Sequence, residues 1–289
     1  MKEFIKNILW ATDFSDEGQA ALAYAETFAR AFGAEITALN VTPDFSLALY
    51  NDYPAVIQEL IRRTGEIKQE AQARLEDAGK TAGVGFRKAV VAQGAPAKKI
   101  LETAEVEKAD LIVMGKTGES RLGNPLVGSV ANHVLRHSHV PVLVTKKRKS
   151  GPEIKKILVP TDFAKKEDIE REYAWKVAKG LSASLTFLYV LELHGHEFRM
   201  VDDMFESALA KFKKKATLEG KGITVEHDVI RAVTAVQGIV EYSAERHCDL
   251  IVIESCIGAL GRLILGSTTE KVISYSDRPV FAIPPELCR

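Results

Sequence analysis

Met114 to Val130 reads Met-Gly-Lys-Thr-Gly-Glu-Ser-Arg-Leu-Gly-Asn-Pro-Leu-Val-Gly-Ser-Val. Gly115 and Gly118 are followed, after nine intervening residues, by Gly128-Ser129. The run leaves an apolar stretch, Leu111 to Met114, and enters Val130 to His137, which has a helical pattern. A strand, a glycine-bearing loop and a helix start together make an anion cradle. Glycines allow close approach and inward-turned N–H groups. The helix start adds partial positive charge, and the Ser129 hydroxyl adds a donor. The chemistry expected here is non-covalent binding of a phosphate-bearing small molecule.

Two common cradles are excluded. Gly115-Lys116-Thr117 looks like the end of a Walker A loop, but the required glycine five residues earlier is Asp110. No Gly-x-Gly-x-x-Gly follows the first strand, which reads Leu9-Trp10-Ala11-Thr12-Asp13-Phe14. No Ser-His-Asp or Cys-His arrangement emerges from the spacings. His133 and His137, four apart on a helix, read as surface or capping residues. His194 and His196, with Asp202 and Asp203, have metal-like residue types but no strict spacing. Cys248 reads as a small buried hydrophobe.

The elements that must position the cradle are written twice. Ile8-Leu9-Trp10-Ala11-Thr12-Asp13-Phe14 matches Ile157-Leu158-Val159-Pro160-Thr161-Asp162-Phe163. Asp110-Leu111-Ile112-Val113 matches Asp249-Leu250-Ile251-Val252, and Gly128-Ser129 matches Gly266-Ser267. Lys146 to Pro152 reads as a charged linker, so the expected domains are 1–147 and 153–289. Short apolar runs near 5–11, 35–41, 86–92, 110–115 and 140–145 alternate with helical patterns near 16–32, 55–82, 96–108 and 129–137. The second half repeats the strands near 156–161, 184–190, 224–230, 249–254 and 279–283. Such alternation predicts an α/β fold with a doubly wound parallel sheet in each half. Ligands in such sheets sit beyond the carboxyl ends of the strands, where the order reverses. Asp13, Val41 and Gly115 fall at those ends.

Composition bounds the partners. The 289 residues are 46% apolar and 27% charged, and Lys+Arg and Asp+Glu are both 39. A neutral balance gives no field-driven attraction to nucleic acid or anionic membrane. No apolar run reaches the ~18 residues of a membrane span, and the amino-terminal residues lack a signal-peptide pattern. Three cysteines do not make a disulfide framework, so a reduced, cytoplasmic setting is expected.

With these residues in place, the chain resembles a tandem universal stress protein across nearly all of both halves. The signature is Gly-x2-Gly-x9-Gly-Ser, carried by Gly115, Gly118, Gly128 and Ser129. The resemblance implies a five-stranded sheet of order 3-2-1-4-5 in each half. It implies ATP or AMP binding, with Mg accompanying a triphosphate, and a regulatory or protective role. In members of the family the last strand pairs across a two-fold, so here the two repeats would pair with each other about an intramolecular pseudo-two-fold. Further homodimers and a regulatory protein partner fit the same role. Carried over by position, Ala11, Thr12 and Asp13 end strand one, with Asp13 beside the adenine or ribose. Val41 and Met114 would meet the base. Gly115, Lys116 and Gly118 would line the phosphate path, and Gly128, Ser129 and Val130 would hold phosphates through N–H groups. Asp13 also reads as a helix N-cap.

The second half departs from the signature, with Glu254 in place of Gly115 and a middle glycine that aligns only loosely with Gly258 or Gly261. The first half is expected to bind a triphosphate and the second to be empty or altered. Lys116, Arg121 and Asn124 are the loop side chains that could aid slow hydrolysis. A nucleotide-responsive regulator, a weak ATPase and a scaffold with remnant pockets remain three readings. Pro43 to Pro54 carries surplus length with Phe45, Leu47, Leu49, Tyr50 and Tyr53, suited to a lid, a partner surface or packing on its own helix.

Overall fold

The computed structural model describes residues 4–44, 52–118, 127–147, 151–161, 169–193, 205–207, 209–210, 222–255 and 266–284. Arg121, Asn124, His194, His196, Asp202, Asp203, Asp162, Gly258, Gly261 and residues 45–51 lie outside them.

The first half runs β1 (Asn7–Ala11), α1 (Asp16–Phe32), β2 (Glu35–Thr42), α2 (Pro54–Thr81), β3 (Phe86–Gln93), α3 (Pro96–Val106), β4 (Leu111–Gly115), α4 (Ser129–His137) and β5 (Val142–Thr145). The second runs β6 (Lys156–Pro160), α5 (Ile169–Leu181), β7 (Ser184–Glu192), β8 (Val225–Ala232), α6 (Ala235–Glu245), β9 (Leu250–Glu254), α7 (Ser267–Tyr275) and β10 (Val280–Ile283). Local chemistry accounts for the boundaries. The Ser15 hydroxyl caps α1 by accepting from Gly18 N–H. Asp16 and Glu17 in its first turn and Arg30 in its last complement its dipole, and Gly33 ends it at φ 68°. Pro96 opens α3, where its missing N–H costs nothing.

The strands form one sheet, in the order β3-β2-β1-β4-β5-β10-β9-β6-β7-β8. Each half therefore has the order 3-2-1-4-5. Pairing is parallel within each half. The halves meet in one antiparallel pair, β5 with β10, in the register Val144–Val280, Leu143–Phe281 and Val142–Ala282. The palindromic order about an antiparallel pair is that of a pseudo-two-fold. The outer strands β3 and β8 blunt their edges with charge. On β3, Arg87 and Lys88 both pair with Glu107, at 2.8 and 2.5 Å.

Alternation along the strands divides the core into two layers. Ile8 and Trp10 lie on the α1 face, in a cluster that includes Phe28, Val113, Phe187 and Phe281 and continues under α5 in the second half. Leu9 and Ala11 face the other way, with Ile112, Met114, Leu135, Ile251 and Val272. Each layer runs through both halves. Phe281, from the second half, stacks on Phe28 of the first with centroids 6.1 Å apart. Across the same boundary Glu270 accepts from Asn132 Nδ2 at 2.9 Å and from Arg136 at 2.7 Å. By contrast, Ala71 and Leu75 are the buried residues of α2, and Tyr53 and Ile61 on its amino-terminal side are exposed. Among the described residues no helix is long and apolar enough to cross a membrane.

Cys248 is buried, and burial pushes its thiol up to about 11. Two measurements check this core. Phe281→Ala should cost about 3–5 kcal/mol in urea melts and should lower the melting of both halves together, because the ring is shared. In a Cys256→Ser, Cys288→Ser background, a thiol reagent at pH 8 should label Cys248 slowly in the native protein and fast in denaturant, since the thiolate is the nucleophile.

Candidate functional site

The order of the sheet reverses at β1, which lies between β2 and β4. The loops that follow β1 and β4 therefore part and leave a crevice. The β1 loop is pinned at both ends. Thr12 N–H donates to the Leu39 carbonyl at 2.9 Å, and the Thr12 carbonyl accepts from Asn40 Nδ2 at 2.8 Å. Asp13 Oδ1 accepts from the Ser15 N–H at 3.0 Å and from the Ser15 hydroxyl at 2.6 Å. Ser15 Oγ in turn accepts from Gly18 N–H at 3.1 Å. The N-cap of α1 is thus Ser15, and Asp13 buttresses that cap instead of being it.

The β4 loop is held against the start of α1. A Cβ on Gly115 would lie 3.0 Å from both the Glu17 carbonyl carbon and the Gly18 nitrogen. Thr117 donates its N–H and its hydroxyl to Glu17 Oε2, each at 2.7 Å. A Cβ on Gly118 would lie 2.5 Å from Asp13 Oδ2. Gly128 N–H donates to the Lys116 carbonyl at 2.9 Å, drawing the two ends of the loop together. Gly115 is thus required by the backbone packed against it, whereas a side chain at Gly118 would meet the end of the Asp13 side chain. Gly128, the N-cap residue of α4, offers no side chain to the helix. The first-turn amides of Ser129, Val130 and Ala131 are left for another acceptor.

A cavity of about 420 Å³ lies between these loops. Every residue expected to contact the nucleotide lines it: Ala11, Thr12 and Asp13 from the β1 strand end and loop, Val41 from β2, Met114 and Gly115 at the end of β4, Lys116 and Gly118 beyond it, and Gly128, Ser129 and Val130 at the start of α4. Sequence reasoning missed Leu39, Pro96, Ile100, Thr117, Ala131 and Gly18. A glycine three residues after the capping serine was the available signal for Gly18, because an added Cβ there would crowd Asp13 Oδ1 at 2.8 Å and Thr12 Oγ1 at 2.9 Å. Leu39, Val41, Pro96, Ile100 and Met114 make one side of the cavity apolar. The amide-rich start of α4 makes the other side polar. This division suits a flat base joined to an anionic tail.

Lys116 has an unexpected partner. Its ammonium donates to the carbonyl of Ser274, in the last turn of α7 in the opposite half. Burial, with Lys146 nearby, holds it below the ordinary lysine value. The side chain is 6% exposed. Its loop position is as expected, but its charge is engaged across the boundary between the halves.

The second half reuses the frame with other groups. Gly266 N–H donates to the Ser255 carbonyl at 3.3 Å, as Gly128 does to Lys116. Ser255, in place of Lys116, turns its hydroxyl to the Ile283 carbonyl at 2.6 Å. Glu254 stands where Gly115 stands, and its N–H donates to Glu170 Oε1 at 3.2 Å. The Thr269 hydroxyl donates to the Glu254 carbonyl at 2.9 Å, at the position of Ala131.

The other candidates give less. The His133 and His137 rings stack at 4.1 Å, and His137 Nδ1 lies 2.8 Å from the His133 carbonyl oxygen. No group of three or more His, Cys, Asp or Glu suited to a metal gathers among the described residues.

Comparison with known proteins accords with this frame. The model of the Universal stress protein family matches residues 5–146 and again 153–284. Universal stress protein MJ0531 of Methanocaldococcus jannaschii is 39% identical over 147 residues, which is 50% of this chain and 84% of that protein. MJ0577 of the same organism is 32% identical over 164 residues, 52% of this chain and 100% of that protein. A universal stress protein structure from Archaeoglobus fulgidus aligns with a TM-score of 0.67 at 28% identity, covering 98% of this chain and 99% of that one. Double pattern, sheet order and both family matches agree: the chain belongs to the universal stress protein family, with one such domain in each half.

Proposed function

We propose that the amino-terminal half, residues 1–147, holds an adenine nucleotide and that the chain acts as a nucleotide-responsive stress regulator. The observation that carries this reading is the cavity at the switch point, apolar on one side and walled on the other by a helix start without a side-chain cap. Val41 and Met114 would pack on the base. Asp13, already oriented by Ser15, would accept from the ribose or adenine. Gly118, Ser129 and Val130 would give N–H groups to phosphate, where the α4 dipole favours negative charge; the Gly128 N–H, expected to do the same, is taken by the Lys116 carbonyl. A bound triphosphate would bring Mg as its own counter-ion.

The second half, residues 153–289, is proposed to have lost the triphosphate site. Glu254 takes the Gly115 position, beside Glu170. Two like charges at 4 Å cost about 4 kcal/mol at an effective dielectric near 20, which is enough to refuse a polyphosphate. Binding is the reading favoured over hydrolysis: phosphoryl transfer needs a group free to stabilise the transferring phosphate, and of the three loop side chains that could supply one, Lys116 is engaged by Ser274 while Arg121 and Asn124 lie outside the described residues.

Titration calorimetry should find one ATP per chain, and two equal sites would overturn the assignment of halves. Gly115→Glu is a poor probe, because its Cβ would press on the backbone of α1. Gly118→Ala is the sharper one. Among the described residues its Cβ meets the Asp13 carboxylate, whose Oδ2 must turn while Oδ1 stays on Ser15, so stability should fall by no more than about 1 kcal/mol while nucleotide affinity falls about tenfold, one lost charged hydrogen bond. Unchanged affinity would remove Asp13 and Gly118 from the site. Ser129→Ala should weaken ATP roughly threefold to tenfold.

A further inference from the structure

Glu17 belongs to no motif, yet it holds a residue that lines the cavity. It stands in the first turn of α1, where a negative charge is stabilised by the helix dipole. Its Oε2 accepts both the N–H and the hydroxyl of Thr117, at 2.7 Å each. Thr117 lines the cavity and precedes Gly118. A full negative charge is therefore fixed one residue from the proposed phosphate path. The nearby cation, Lys116, feels this carboxylate and offsets part of its charge, while its ammonium is held at the Ser274 carbonyl of the opposite half.

A carboxylate in this position acts in two separable ways. As a hydrogen-bond acceptor it steadies the loop for any ligand. As a charge it opposes a ligand in proportion to the charge that ligand carries. We propose that Glu17 is the residue that sets how the site discriminates among adenylates by phosphate charge, acting against each added phosphate. This inference rests on the nucleotide reading of the cavity. Thr117 clasps the carboxylate, so the charge cannot swing away when a phosphate arrives. The second half has a related arrangement, with Glu170 of α5 on the Glu254 N–H. There a second carboxylate joins the first, and the same opposition becomes exclusion.

Calorimetry with adenosine, AMP and ATP, without divalent cations, on the wild type and on Glu17→Gln, Glu17→Ala and Glu17→Asp tests the proposal. Glu17→Gln should tighten ATP about fivefold and AMP no more than about twofold, and leave adenosine unchanged, because the Coulomb energy scales with ligand charge. Glu17→Ala removes the clasp as well as the charge. It should shift all three ligands together, yet keep the ATP-to-AMP preference of Glu17→Gln. Glu17→Asp keeps the charge and should keep the wild-type preference. Equal changes for the three ligands in Glu17→Gln, or an Asp variant that behaves like Gln, would overturn the proposal and leave Glu17 as a clasp alone. If the wild type binds none of the three, the nucleotide reading itself falls and this inference falls with it.

Discussion

At the end of β4 the chain passes so close to the first turn of α1 that a single added carbon at Gly115 would lie 3.0 Å from the backbone of Glu17 and Gly18. The other parts of the site depend on this approach. It lets Glu17 reach Thr117, and it sets Gly118 against Asp13. It also fixes where the β4 loop starts, so that Gly128 can return to the Lys116 carbonyl and aim α4. The crevice between β1 and β4 follows from topology. Its shape follows from this contact. Glycine at 115 is thus a packing requirement between helix and strand, and the proposed phosphate contacts fall to the amides beyond it.

The pairing of the halves has a different physical basis. Three residue pairs join β5 to β10, too few on their own to hold two domains. The shared layers supply the rest. Phe28, Phe281 and Tyr173 lie in one aromatic group spanning the boundary, with centroids 6.1 and 6.5 Å apart. Glu270 ties α7 to two residues of α4. These pairs are half-exposed and contribute little singly; burial of the rings dominates. Lys116 sits where both systems meet. Its backbone closes the cradle, and its ammonium reaches α7.

Much of the fold was readable from the chain because it rests on local rules. Runs such as Leu111-Ile112-Val113-Met114 announce strands buried on both faces, and the five strands expected in each half all form. The repeat of Thr-Asp-Phe after the first strand and of Gly-Ser before the fourth helix marked the duplication, while the sheet order, which the structure bears out, came from the family resemblance. The cavity residues at strand ends were readable for the same reason. What could not be read was long-range. Nothing in the string around Lys116 points to Ser274, 158 residues away. Pro96 and Ile100 reach the cavity only because α3 crosses over β2. Glu17 looks like an ordinary first-turn acid until Thr117 is seen beside it. Asp13 was open to two readings because its sequence suits a cap, and Ser15 takes that task by being two residues nearer the helix.

On the proposed reading, the difference between the halves has one electrostatic origin. Both keep an uncapped helix start after a glycine, Gly128 and Gly266. A helix dipole is a fixed source of about half a charge, so what decides the ligand is the balance of full charges around it. Around α4, Asp13 and Lys116 line the cavity with opposite charges, Glu17 is held at one remove by Thr117, and Gly115 at the end of β4 carries no charge of its own. Around α7, Glu254 brings a carboxylate to the strand end itself, with Glu170 on its amide, and Thr269 places a hydroxyl on the Glu254 carbonyl. One substitution at the strand end therefore changes both the space and the charge, while the strands, whose order depends on apolar faces, are unaffected. A duplicated domain can lose its anion site this way and keep its place in the sheet.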